Sequence, residues 1–104
     1  MSLFFAIAVD RATTQQLNAV HELVKQHANG WWHHHTNLWI VGASAQNADT
    51  KRVSFWRDLI KPVLAVGQAK ILVLRLPSEA DGRWWASTKD DGVWLRKTYT
   101  KKTD

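Results

Sequence analysis

The 104 residues include no cysteine. That excludes disulfides, thiolate metal sites and cysteine nucleophiles together. Long apolar runs are missing too, and none comes near the roughly 20 residues that a membrane-spanning helix needs. The opening "MSLFFAIAVDR" has neither the basic n-region nor the small-residue cleavage site of a secretory signal. It reads instead as the first strand of the fold, and the chain as a cytoplasmic protein with no membrane partner. A phosphate-cradling glycine loop, a His-Glu-x-x-His helix and a Ser-His-Asp arrangement are all lacking. Internal repeats, low-complexity stretches and linkers are absent as well. Acidic residues are scarce, nine against 14 Lys and Arg, which gives a net charge of +5.

What remains is an ordinary globular composition, 45% apolar and 22% charged, with seven tryptophans. A chain of this length makes one domain with a real core. Leu3 to Asp10 is an apolar, non-alternating run, as in a strand buried on both faces. A helix follows: Thr13 and Gln16 have capping-box spacing, Leu17, Val20, Leu23, Val24 and Ala28 form one apolar face, and Asn29-Gly30 supplies a stop. Next, "WWHHH" and "LWIV" flank Thr36-Asn37, which predicts a tight hairpin. Val53, Trp56, Leu59, Ile60 and Val63 suit a second helix, which Pro62 should kink or end. Ala69 to Pro77 makes a fourth strand. A short helical turn around Trp84-Trp85 and a strand over Val93 to Tyr99 complete the reading.

Strand, helix, strand, strand, helix, strand is the ferredoxin-like order: α+β, with two helices on one face of a four-stranded antiparallel sheet. The domain spans residues 1–104, with a core over about residues 3–77 and a Trp-rich, basic C-terminal segment over 82–104. Alternation puts Leu3, Phe5, Ile7 and Val9 on one face and Phe4, Ala6 and Ala8 on the other. A two-residue turn pairs His34 with Trp39 and Trp32 with Val41 on one hairpin face. His33 then pairs with Ile40, and Trp31 with Gly42, on the other. Neither sheet face is polar, and two helices can cover only one. A second copy packed against the sheet, the C-terminal segment, or both must cover the rest. Trp31, Trp32, His33, His35 and Trp39 are therefore read as dimer interface or core.

The hairpin histidines resemble a metal cluster, but strand geometry sets His33 and His35 on one face and His34 on the other. His21 and His27, six apart on the first helix, do not both join them. Packing between tryptophans, with one ring nitrogen bonded to backbone, is the competing reading. In the C-terminal segment Arg83, Trp84, Trp85, Lys89, Arg96, Lys97, Lys101 and Lys102 combine cations with aromatics. That combination suits nucleic-acid binding as readily as a solvated terminus. Asp10, at a strand-to-helix junction, is either a cap for the helix or a carboxylate for Mg²⁺ or Mn²⁺.

A strand ending in "AVD", then "GWWHHHTNLWIV", then "LIKPVLAVGQAKILVLRL" resembles the small SinR-like family over residues Leu3 to Leu76. That family is similar to the compact ferredoxin-like proteins typified by VapD toxins and the smaller subunit of the CRISPR spacer-integration complex. The resemblance implies a sheet-to-sheet homodimer. In the nuclease members of the wider group, an aspartate ending the first strand helps hold a divalent cation at the dimer interface, and Asp10 is the matching position. Arg11 follows it here, and no second carboxylate lies beside it in sequence. Two functions are thus expected: a non-catalytic dimeric module binding nucleic acid or a protein partner, or a metal-dependent endonuclease using Asp10 from both copies.

Overall fold

The computed structural model describes residues 2–77. The elements are β1 (Ser2–Asp10), α1 (Thr14–His27), β2 (Gly30–His35), β3 (Leu38–Ser44), α2 (Val53–Ile60) and β4 (Lys70–Arg75), with a 3₁₀ turn at Lys61–Leu64 after α2. The sheet order is β2-β3-β1-β4, antiparallel at every pairing. This is the ferredoxin-like arrangement, with β1 at the centre beside β3 and β4. Among the described residues no helix is long and apolar enough to cross a membrane. The turn expected at Trp84-Trp85 and the strand expected at Val93 to Tyr99 lie outside the described residues.

The helix signals act as their chemistry dictates. Thr13 Oγ1 accepts the Gln16 N–H at 3.1 Å, while Gln16 Oε1 accepts the Thr13 N–H at 3.0 Å. That satisfies two of the orphan donors at the start of α1. At the other end the expected Asn29-Gly30 stop takes a different form. The helix ends at Ala28 in extended backbone (φ −85°, ψ 146°), and Gly30 opens β2. The Asn29 N–H donates to the Gly42 carbonyl at 2.9 Å, which draws the chain straight into the sheet. Pro62 lacks the N–H that would continue α2, and the chain tightens there into the 3₁₀ turn.

One face of the sheet packs under the helices. Phe5, Ile7 and Val9 of β1 and Trp39, Val41 and Ala43 of β3 meet Val20 and Val24 of α1 and Trp56 and Ile60 of α2, all buried. Trp56 has no exposed surface, and its indole N–H donates to the Thr50 carbonyl at 2.9 Å. The preceding loop is held for that bond because Asn47 Oδ1 accepts the N–H groups of Asp49 and Thr50 at 2.9 and 3.0 Å.

The hairpin keeps its two-residue turn, with His35 opposite Leu38, but its register differs from the expected one. Trp31 pairs with Val41 and Trp32 with Ile40, and the ladder is irregular between Trp32 and His35. His33 and His34 together oppose Trp39, as in a β-bulge. The extra residue shifts everything before it by one position and exchanges faces. Trp31 therefore lies with Trp39 on the helix side, and Trp32 lies on the open side with Phe4.

Replacing Trp56 by Phe removes the donor to Thr50 and leaves a cavity. Urea unfolding should show a loss of about 2–4 kcal/mol.

Candidate functional site

Two places concentrate chemistry-bearing side chains, the aromatic cluster of the hairpin and the rim around Asp10. In the first, Trp39 is fully buried and His33 stacks on it, with ring centroids 4.1 Å apart and planes within 3°. α1 brings His21 against both. The His21 ring lies 5.1 Å from His33 and 6.1 Å from Trp31, and His21 Nδ1 accepts the Trp39 indole N–H at 3.1 Å. That bond fixes the tautomer: Nδ1 must be bare, so neutral His21 carries its proton on Nε2. His33 Nδ1 lies 2.9 Å from the Leu38 carbonyl. A carbonyl only accepts, so His33 Nδ1 carries a proton.

These assignments bear directly on metal binding. A metal on His21 Nε2 would move the proton to Nδ1 and set it against the Trp39 donor. The nearest imidazole pair therefore cannot ligate together without orphaning a buried indole. Nor do His33 and His35 act as a pair on one face, because the bulge separates them. His34 and His35 both lie against the Trp32 ring, at 5.4 and 5.3 Å. Among the described residues no group of three or more His, Asp or Glu side chains converges on a point where a metal would sit. His33 is a packed aromatic held by the Leu38 carbonyl and the Trp39 ring, while His34 and His35 are exposed beside Trp32.

Asp10 ends β1 opposite Lys70 of β4. Its carboxylate is 70% exposed and sits 3.8 Å from Arg11 Nε. Thr13 caps α1, so Asp10 is not the residue bonded at the start of that helix. Arg11 adopts the left-handed backbone (φ 59°) and turns the chain off the sheet towards α1. A groove of about 420 Å³ beside Asp10 is lined by Ala8, Val9, Asn37, Lys70, Ile71 and Leu72. The carboxylate is reachable from water, and its ion-pair partner is a cation.

The remaining features are surfaces. On the open face of the sheet Phe4 and Trp32 pack with Leu38, Ile40 and Leu76, while Leu72 and Leu74 of β4 are 55% and 51% exposed. Cations gather along α2, where Asp58 is surrounded by Arg57, Arg52 and Lys61. A hydrogen bond from Arg57 at 2.9 Å, and then the charges of Arg57, Lys61 and Arg52, hold the Asp58 carboxyl below its usual range. Residues 2–77 contain eight of the 14 Lys and Arg but four of the nine Asp and Glu. Most of the charge imbalance therefore belongs to the described body. The cation and tryptophan set Arg83, Trp84, Trp85, Lys89, Arg96, Lys97, Lys101 and Lys102 lies outside the described residues.

No protein-family model matches this chain, and no curated protein matches it significantly.

The meeting of His21 with Trp39 and His33 was missed in the sequence, although a signal was present. His21 falls four residues after Leu17 and three before Val24, on the same helical stripe as the apolar face.

His21 titrates below its ordinary value of 6.5, because burial disfavours its charged form and His33 and Lys25 add to the effect against Glu22. The unfolded chain then binds the proton more readily, so stability is complete above pH 6.5 and falls as the pH drops through that value towards the lower folded one. Denaturant midpoints measured across this window should show the decline. His21→Gln keeps an acceptor without titrating and should remove the share of the slope that His21 supplies.

Proposed function

We propose that this chain is a non-catalytic, dimeric ferredoxin-like module that binds nucleic acid. The single observation carrying the dimer is the open sheet face, where Leu72 and Leu74 remain half exposed beside the Phe4 and Trp32 cluster. Sequestering such leucines against a second copy is worth roughly 1 kcal/mol each, and the contact is self-complementary under a two-fold axis. The SinR-like resemblance, with its sheet-to-sheet dimer, supports the same reading. Nucleic-acid binding is supported by the excess of Lys and Arg and by the exposed cations Arg52, Arg57 and Lys61 at α2. Cations arranged this way attract phosphates without reading sequence.

A second reading, a metal-dependent endonuclease, is favoured by one feature. Asp10 is exposed and free of helix amides, so Asp10 from each of two copies is able to approach one Mg²⁺ or Mn²⁺ between them. Hard cations take such carboxylate oxygens and keep several waters, one of which would attack the phosphodiester.

Sedimentation velocity on the full chain should show dimers, and Leu72→Glu combined with Leu74→Glu should shift them to single subunits. Fluorescent RNA and duplex DNA should bind, with affinity falling at least about tenfold between roughly 50 and 200 mM salt. With Mg²⁺ or Mn²⁺ added, neither wild type nor Asp10→Ala should cleave. Cleavage by wild type that Asp10→Ala abolishes would establish the nuclease instead.

A further inference from the structure

We propose that the outer edge of β4 receives an extended acidic peptide segment as an additional strand. The added strand pairs along the edge of the sheet rather than covering its open face, and it competes with nucleic acid for the α2 cations.

The Leu76 N–H donates to the Phe4 carbonyl at 2.9 Å, which turns the even-numbered residues of this stretch towards β1. Alternation then points the N–H and C=O groups of Ile71, Val73 and Arg75 the other way. Among the described residues β4 has a neighbour on one side only. An edge of this kind is a template for another extended chain.

The surroundings set the chemistry of that chain. A groove of about 360 Å³ runs between α2 and β4, with Arg57 and Lys61 on one wall and Ile71, Leu72 and Val73 on the other. Arg52 stands close by, 3.4 Å from Asp49, and Asp58 pairs with Arg57 at 2.9 Å, so the two carboxylates here face three cations, Arg52, Arg57 and Lys61. Arg75, at the end of the strand, lies 6.0 Å over the Phe5 ring on the helix side. The opposite side carries the exposed Leu72 and Leu74. Side chains of an added strand alternate between these two sides. Those on the helix side meet cations, and those on the open side extend the apolar surface. The fitting sequence alternates acidic and apolar residues.

Other occupants fit less well. A second copy bringing its own β4 would bring its own Arg57, Lys61, Lys70 and Arg75 to the same place, and like charges across strands are destabilising. A polynucleotide satisfies the cations, but its phosphates accept hydrogen bonds and leave the outward carbonyls of β4 unpaired.

The test uses the full chain and a fluorescein-labelled synthetic peptide of alternating glutamate and valine. Anisotropy should report saturable binding, and amide hydrogen exchange should show new protection at Ile71, Val73 and Arg75. Arg57→Glu with Lys61→Glu, both on exposed positions, should weaken binding about tenfold or more while circular dichroism stays unchanged. A block peptide of the same composition, glutamates first and valines after, should bind more weakly. Equal binding of the block peptide, indifference to the charge reversal, or no binding at all would overturn the proposal. So would protection of those three amides before peptide is added. In that case dependence on protein concentration would assign the edge to a second copy, and independence would assign it to this chain's own C-terminal segment. A single-stranded oligonucleotide that protects the same amides in place of the peptide would also overturn it.

Discussion

The buried indole of Trp39 constrains the rest of the hairpin and much of the helical layer. A Trp with no exposed surface needs an acceptor for its N–H, since a donor left unpaired in the core costs about 1–3 kcal/mol. His21 provides the acceptor from α1, so the helix is registered against β3 by one directional bond as well as by Val20 and Val24. The same bond decides which tautomer His21 adopts and removes it from any metal chemistry. His33 then stacks on the face of the indole, beside His21, and donates to Leu38. That placement is available only because the bulge sets His33 beside Trp39. Two imidazoles that look like ligands in sequence, His21 and His33, are in this way used up by packing.

The fold was legible because its signals are local and agree with one another. The capping box at Thr13 and Gln16, the apolar stripe of α1, the tight turn at Thr36-Asn37 and the break at Pro62 each act over a few residues. The hairpin register was not legible. Period-two reasoning assumes an unbroken ladder, and a single extra residue reverses every assignment on one side of it. The two tryptophans consequently exchanged faces: Trp32 was expected beside Val41 and lies opposite Ile40. Among the three histidines nothing marks the bulge, as no glycine occurs between Gly30 and Gly42. The end of α1 illustrates a related limit. Asn29-Gly30 reads as a helix stop, but the carbonyl of Gly42 in a strand thirteen residues away competes for the Asn29 amide.

Asp10 shows how much a site depends on what surrounds it. A carboxylate ending a central strand is a common junction residue, and its two readings diverge on contacts that sequence does not display. With Thr13 taking the capping role, Asp10 is left on the surface with Arg11 nearby. An exposed pair at that separation contributes little to stability. The residue is therefore not explained by folding energetics, and its chemistry is open to whatever approaches the groove beside it. Charge leads to the same region from another direction. The cations of residues 2–77 outnumber the acids two to one, and several lie along α2 and β4 rather than in the C-terminal stretch where sequence drew attention.

Two unsatisfied features of β4 obey different physics, and this is why they are separable. The exposed leucines call for area: any apolar surface of suitable shape relieves them, and a second copy is always at hand in equal concentration. The outward amides and carbonyls call for direction: they are relieved only by a chain with donors and acceptors at strand spacing. Lys70 and Arg75 flank the apolar stretch between them, the usual way of discouraging indiscriminate pairing at an edge. Charge of one sign at both ends does not close the edge; it selects. A basic strand loses part of the ladder energy to repulsion, whereas an acidic strand adds opposite-charge attraction to it. Face and edge therefore sort their partners by different criteria, one by buried area and the other by backbone register and sign of charge.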